Sequence, residues 1–316
     1  MRKVGGGRLL PIAVLTAVML VAGSVPAFAV PAMVIGGAGE QYDPFVSGAL
    51  VGYSTWASKR AHTYVRDVGA ATTVRVDPVG WQGEVGGFDP VTGKVLYTQW
   101  DGSHAGNLYF FDVGTHARSK VGGVNTRAWE WDGRISSSYI LFLRNQRING
   151  VWYVDVVLYR RSNGATRILD RYPGSKTKEI DAGTVGDRYA TWTFCPRDWD
   201  CRAMVYDASK RALRVIPTKG DRRQYAPAVD ETNKVVYFTR LGGSRWCHSA
   251  SVWRLPLGNL RSSATKILGL PDGVDTGWTG SLTIDGSTGE VDYYFERYVC
   301  SGGGDIYRIA NVNQVT

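Results

Sequence analysis

Two segments far apart in the chain repeat one another, and this constrains the fold more than any other feature. Gln41-Tyr42-Asp43-Pro44-Phe45-Val46 returns as Gln224-Tyr225-Ala226-Pro227-Ala228-Val229, 183 residues later. That offset fits four repeats of about 46 residues. Apolar runs centred on an aromatic recur at the same rhythm: Val51-Gly52-Tyr53, Val95-Leu96-Tyr97, Ile140-Leu141-Phe142, Ala190-Thr191-Trp192, Val235-Val236-Tyr237 and Val291-Asp292-Tyr293. Ala165-Thr166-Arg167-Ile168-Leu169 and Ala264-Thr265-Lys266-Ile267-Leu268 form a second matched pair, 99 residues apart. Turns rich in Asp, Gly and Asn sit at equivalent places, at Asp89-Pro90-Val91-Thr92-Gly93-Lys94, Asp230-Glu231-Thr232-Asn233-Lys234 and Asp285-Gly286-Ser287-Thr288-Gly289-Glu290. Their left-handed backbone preferences suit hairpins. No long segment has helical apolar periodicity.

A β-rich unit at this period is a propeller blade. The sequence therefore predicts an all-β, six-bladed β-propeller with four-stranded antiparallel blades. The sixth repeat lacks a last strand of its own, and the chain stops soon after Asp305 to Ile309. Met33-Val34-Ile35, ahead of the first repeat, is predicted to supply it, so that an N-terminal strand closes the ring and hides an open edge. A β-sandwich is the competing fold, but it does not account for a sixfold repeat.

Residues 1–29 read as a signal peptide. Arg2, Lys3 and Arg8 precede the apolar run Leu9 to Ala22, and Ala27-Phe28-Ala29 is a small-x-small cleavage site. The run is short for a bilayer span. Residues 30–316 are then one exported domain, secreted or held in the cell-envelope space. Loss of those cations takes the formal net charge from +9 to +6. This mild excess favours an anionic partner. The chain has no basic arm and no nucleic-acid motif, and no membrane span is expected. Cys195, Cys201, Cys247 and Cys300 make an even set, which reads as two disulfides in an exported chain. Placement of the loops pairs Cys195 with Cys201 and Cys247 with Cys300.

Pro227-Ala228-Val229-Asp230 followed by Val235-Val236-Tyr237-Phe238-Thr239-Arg240, together with Leu108-Tyr109-Phe110-Phe111-Asp112-Val113-Gly114, resembles the repeats of the TolB-like, or WD40-like, propeller family. The resemblance covers the whole exported chain, although the family's Ser-Pro-Asp-Gly turn is replaced by variants. It implies a six-bladed ring used mainly for protein contacts, and no particular reaction.

Strand order puts the loops between blades on one rim with the loops joining second to third strands. That rim is predicted to carry the ligand site, with Trp81, Trp100, Arg127, Arg171, Arg222, Arg223, Arg240 and Trp278 as candidate binding residues, since aromatic and arginine side chains dominate binding hot spots. Packing between blades is the bland alternative for any one of these tryptophans. The leading functional expectation is a monomeric binding scaffold for a protein or an anionic envelope polymer, with no cofactor and no metal. An enzyme of the lactonase or glycan-cleaving kind, with or without calcium, is the alternative. Glu84, Glu130 and Asp181, near the inner strands, would be its carboxylates. No Gly-x-Ser-x-Gly elbow, His-Glu-x-x-His or Asp-box is present, and His62, His104, His116 and His248 have no metal-ligand spacing. A third possibility is a propeller that gates a separately encoded hydrolase.

Overall fold

The computed structural model describes residues 32–36, 40–57, 59–100, 105–198, 200–217, 223–244, 247–269, 274–275, 280–284, 291–299 and 304–311. Strand β1 (Ala32–Ile35) comes first. Five four-stranded antiparallel sheets follow in chain order, each ordered as its strands occur in sequence. Blade one holds β2 (Glu40–Ser47), β3 (Leu50–Ala57), β4 (Arg60–Asp67) and β5 (Thr72–Arg75). Blade two holds β6 (Gln82–Phe88), β7 (Val95–Trp100), β8 (Gly106–Phe111) and β9 (Arg118–Lys120). Blade three holds β10 (Trp129–Ile135), β11 (Tyr139–Ile148), β12 (Val151–Arg160) and β13 (Thr166–Pro173). Blade four holds β14 (Glu179–Val185), β15 (Tyr189–Arg197), β16 (Asp200–Asp207) and β17 (Ala212–Val215). Blade five holds β18 (Gln224–Asp230), β19 (Val235–Ser244), β20 (Cys247–Pro256) and β21 (Thr265–Gly269).

The remaining strands, β22 (Val274–Asp275), β23 (Gly280–Ile284), β24 (Val291–Val299) and β25 (Gly304–Ile309), join β1 in one further sheet. Here the structure departs from six equivalent repeats. Among the described residues, regular four-stranded blades number five, and the last sheet has a plan of its own. β24 pairs with β22, β23 and β25, and β25 pairs with β1. The physical reason is that this repeat has no outer strand of its own and draws one from the other end of the chain. Ile35 is buried with Val51 and Tyr53 of blade one and with Tyr294 and Ile306 of the last sheet. Removing residues 30–38 is expected to lower the melting temperature by several degrees. Burial of one isoleucine contributes about 2–3 kcal/mol, and a domain of this size shifts by roughly 2–4 °C per kcal/mol. An unchanged melting curve would show that β1 does not hold the ends together.

The core lies between sheets. In β11, Ile140 and Phe142 pack against Leu96 and Leu108 of blade two. Leu141 and Leu143 pack against Ile180 and Trp192 of blade four. A strand alternates its side chains between faces, so a strand buried on both faces must be apolar at every position. That is why Ile140-Leu141-Phe142-Leu143 is a continuous apolar run.

The first strands of neighbouring blades converge closely. A Cβ on Gly86 would lie 2.2 Å from the Gly133 carbonyl oxygen, and one on Gly183 would lie 2.2 Å from that of Pro227. Only glycine permits that approach. Polar rungs run from the second strand of one blade to the first strand of the next. Ser54 Oγ accepts from Val85 N–H at 2.9 Å, Thr98 Oγ1 from Asp132 N–H at 3.0 Å and Thr193 Oγ1 from Ala226 N–H at 3.2 Å. Inner strands also break register against their partners, as at Tyr42/Phe45, Trp131/Arg134 and Tyr225/Ala228. These bulges place Asp43, Asp132 and Ala226 in left-handed backbone, at φ 52°, 51° and 46°. The repeated Gln-Tyr-x-Pro motif is this bulge in blades one and five.

Candidate functional site

The bulges bring carboxyl groups from several blades into one channel. Burial pushes Glu84 up to about 8, reinforced by the charges of Asp43 and Asp132 and opposed by a hydrogen bond from Trp100 and by Arg134. Trp100 Nε1 donates to Glu84 Oε2 at 3.2 Å. Burial also raises Asp132, against the pull of Arg134 and of the Ala182 N–H. Asp181 stands well above the ordinary range because of burial and then repulsion from Glu179, Asp132 and Asp43. Burial raises Glu179 as well. These residues are half-buried, and protein encloses their carboxyls closely enough to disfavour the charged forms.

Arg134 answers this cluster. It is 3% exposed and pairs with Asp132 Oδ1 at 2.7 Å. It donates to the carbonyl oxygens of Gly183 and Gly133 at 3.0 and 3.1 Å, and its guanidinium lies 4.9 Å from the centre of the Phe45 ring. It therefore touches blades one, three and four. With a value near 8, Glu84 keeps its proton at neutral pH and can both donate and accept a hydrogen bond.

The rim where β2, β6 and β10 begin carries indoles from three blades, a strip in which two ring contacts are direct. Trp56 pairs in register with Ala61, whose N–H points to Gln82 Oε1 at 3.4 Å. Gln82 follows Trp81 in the chain and pairs in register with Trp100. The Trp100 ring centre lies 6.2 Å from that of Trp131. Trp129 shares the strand face of Trp131 and lies 5.2 Å, centre to centre, from Trp152. Trp56, Trp81 and Trp152 are 47%, 40% and 46% exposed, an unusual cost for the largest apolar side chain.

The residues singled out in the sequence divide among different roles. Trp81 and Trp100 lie in the strip, and Arg127 is exposed in the loop just before β10. Arg171 makes a two-pronged pair with Asp155 at 2.7 and 2.8 Å, over the Tyr153 ring. Arg240 is stacked on Trp253 at 4.1 Å and on Phe238 at 5.3 Å. Arg223 bridges in parallel to Cys201. Arg222 and Trp278 lie outside the described residues. Of the three carboxylates, Glu84 and Asp181 enter the channel. Glu130 does not: it is wholly buried, pairs with Arg144 at 2.9 Å and accepts from the Thr126 hydroxyl at 2.6 Å, so it fastens a loop. Asp43 and Asp132 escape a reading of the sequence: the repeated motif passes through Asp43, but blade three makes the same bulge at Asp132 without the motif.

Cys195, near the end of β15, and Cys201, near the start of β16, form a disulfide across their hairpin; both are buried, and the Tyr225 hydroxyl lies 3.0 Å from Cys201 Sγ. The expected Cys247–Cys300 pair lies outside the residues whose side chains are described. Near the opposite ends of the inner strands is a cavity of about 390 Å³ lined by Phe45, Phe88, Arg134, Ile135, Thr184 and Glu231 among others. Its polar groups are engaged, for Glu231 accepts from the N–H groups of Asp187, Arg188 and Tyr189. Among the described residues no cluster suited to a metal ion is present, and no helix is long and apolar enough to cross a membrane.

No protein-family model matches this sequence, and no curated protein does. Solved structures share the fold. TolB from Acinetobacter baumannii is 16% identical with a TM-score of 0.51, over 72% of this chain and 54% of its own. A putative TolB from Agrobacterium tumefaciens is 10% identical with a TM-score of 0.55, over 87% of this chain and 91% of its own. An oligogalacturonate lyase in complex with manganese is 10% identical with a TM-score of 0.53, over 84% of this chain and 76% of its own. At these identities the likeness establishes a β-propeller and nothing finer.

Proposed function

We propose that this chain is an exported, six-bladed β-propeller scaffold that binds a ligand of the cell envelope or its surroundings through the rim where the inner strands begin. In this reading the last sheet counts as the sixth blade and β1 closes the ring. Export rests on the sequence of residues 1–29 and agrees with the Cys195–Cys201 disulfide. The observation that carries the binding face is the indole strip, with three tryptophans left substantially in water. Exposed aromatic groups on one rim mark an interaction surface. Trp81, Trp100 and Arg127 belong to that face. Arg171 and Arg240 stand behind it as fixed supports, because their guanidinium groups are held by Asp155 and Trp253.

The test is capture from envelope and secreted fractions on the immobilised chain, compared with a Trp56→Ala, Trp81→Ala, Trp152→Ala variant. Retention should fall roughly tenfold or more in the variant, the effect expected when hot-spot aromatics are removed. Equal retention would remove this face from the function. A second reading, hydrolysis or elimination in the channel, draws on the raised Glu84 and Asp181 carboxyls. Its signature would be product formation that Glu84→Gln and Asp181→Asn abolish while leaving ligand retention intact.

A further inference from the structure

If the rim is the binding face, as proposed, the layout of its indole strip also specifies the chemistry of the ligand. A protein hot spot is an anchor seated in a desolvated pocket. The indoles here are instead spread along one rim over three blades, Trp56, Trp81, Trp100, Trp129, Trp131 and Trp152, with Trp100 against Trp131 and Trp129 against Trp152. Large aliphatic side chains exposed alongside them are few, namely Val79 and Val151. Polar groups lie between the rings: Gln82, the Glu84 carboxyl held by Trp100 and, next to Trp152, Arg147, which is tied to the Gly150 carbonyl oxygen at 3.0 Å. A run of flat aromatic faces with hydrogen-bonding groups between them fits a ligand whose own faces are weakly apolar and whose edges carry hydroxyls.

A pyranose ring has that make-up. Its C–H groups carry partial positive charge toward the negative face of an indole, and its equatorial hydroxyls both donate and accept. A linear polymer of such rings would meet successive indoles in turn, so modest contacts add along the chain. Charge selects among polymers. Asp43, Asp132, Glu179 and Asp181 gather beside Glu84 with Arg134 paired to Asp132, and a phosphate or uronate would add to the repulsion that already raises Glu84 and Asp181, so the channel mouth disfavours those groups. We infer that the Trp56-to-Trp152 strip binds a neutral glycan chain, with consecutive pyranose rings seated on successive indoles.

The test is affinity electrophoresis of the purified, oxidised chain in gels containing hydroxyethylcellulose, mixed-linkage β-glucan, soluble starch or glycol chitin, one per gel. The expected result is retardation by at least one of these, unaffected by salt at about 0.5 M, an ionic strength that screens surface charge. Trp56→Ala and Trp152→Ala should each weaken binding about fivefold to tenfold, and together abolish retardation. Both side chains are exposed, so the variants should melt like the parent, which a thermal scan verifies. No retardation in any gel, or retardation that the double variant keeps, overturns the inference. If the gels fail while capture still depends on Trp56, Trp81 and Trp152, the glycan is wrong and the scaffold stands. If capture fails too, the binding face itself is wrong.

Discussion

Arg134→Met should destabilise the fold by about 3–5 kcal/mol, the cost typical of breaking a buried ion pair by removing one partner. The reason lies in what remains. Asp132 would keep its place in the bulge, held by the Ala182 N–H, with its Arg134 partner gone. The carbonyl oxygens of Gly183 and Gly133 would lose their donor in an inner wall that admits little water. Contacts across blades one, three and four would go at the same stroke, because Phe45 packs under the same guanidinium. The double variant Asp132→Asn, Arg134→Met should recover a good part of the loss, since it removes the stranded charge and keeps an acceptor for Ala182. Urea unfolding of the parent, both single variants and the double variant supplies the coupling energy. Additive effects would mean that the pair is not an interacting unit.

Stability should also fall as pH rises from about 5 to 8. Glu84 has an ordinary value of 4.5 and is pushed up to about 8 in the fold. Between those values the native state holds a proton that the unfolded chain releases, so raising the pH favours unfolding. At about 1.4 kcal/mol per unit, the upper limit for this group is about 5 kcal/mol, reduced to a few kcal/mol because one side faces the channel. Asp132 and Asp181 are shifted in the same direction. The acid side behaves oppositely. Burial alone would raise Asp89, but hydrogen bonds from Arg161 and Thr92 outweigh it and hold the group below 3.8. Asp207 is lowered in the same way by Arg188 and Ser209. Their stabilisation is present above the ordinary carboxylate value and is lost as pH falls through their depressed values. The melting temperature should therefore peak in mildly acidic solution and decline toward pH 8. Glu84→Gln, which keeps an acceptor for Trp100 Nε1, should flatten that decline. A parent that melts equally at pH 5 and pH 8 would mean that the channel carboxyls ionise freely.

The Glu84 and Glu130 pair shows how far the sequence reaches. Both precede an inner-strand bulge by one residue of paired strand, and both are plausible channel carboxylates on pattern alone. Glu84 meets Asp43, Asp132 and the Trp100 indole, whereas Glu130 meets Arg144 and Thr126. Period-two alternation tells which residues share a face of a strand. It does not tell what that face will meet.

Local pattern is enough to establish that the chain is a repeated all-β structure. Its blades follow from aromatic-centred runs such as Ile140-Leu141-Phe142, and its hairpins from turns rich in Asp, Gly and Asn. The staple between Cys195 and Cys201 and the outer-strand role of Met33-Val34-Ile35 are also legible, because each follows from short-range spacing or from an obvious gap in the repeat. The assembled blades were needed to show that Asp43 and Asp132, 89 residues apart, act on Glu84 and Asp181. They were needed equally to show that Trp56 and Trp152 are exposed on the same rim, and that Arg171 and Arg240 are bound within the protein. Strand propensity and turn chemistry act over a few residues and leave a periodic trace. Burial, proton affinity and exposure depend on neighbours brought from other repeats by the curvature of the blades, and no local pattern records them.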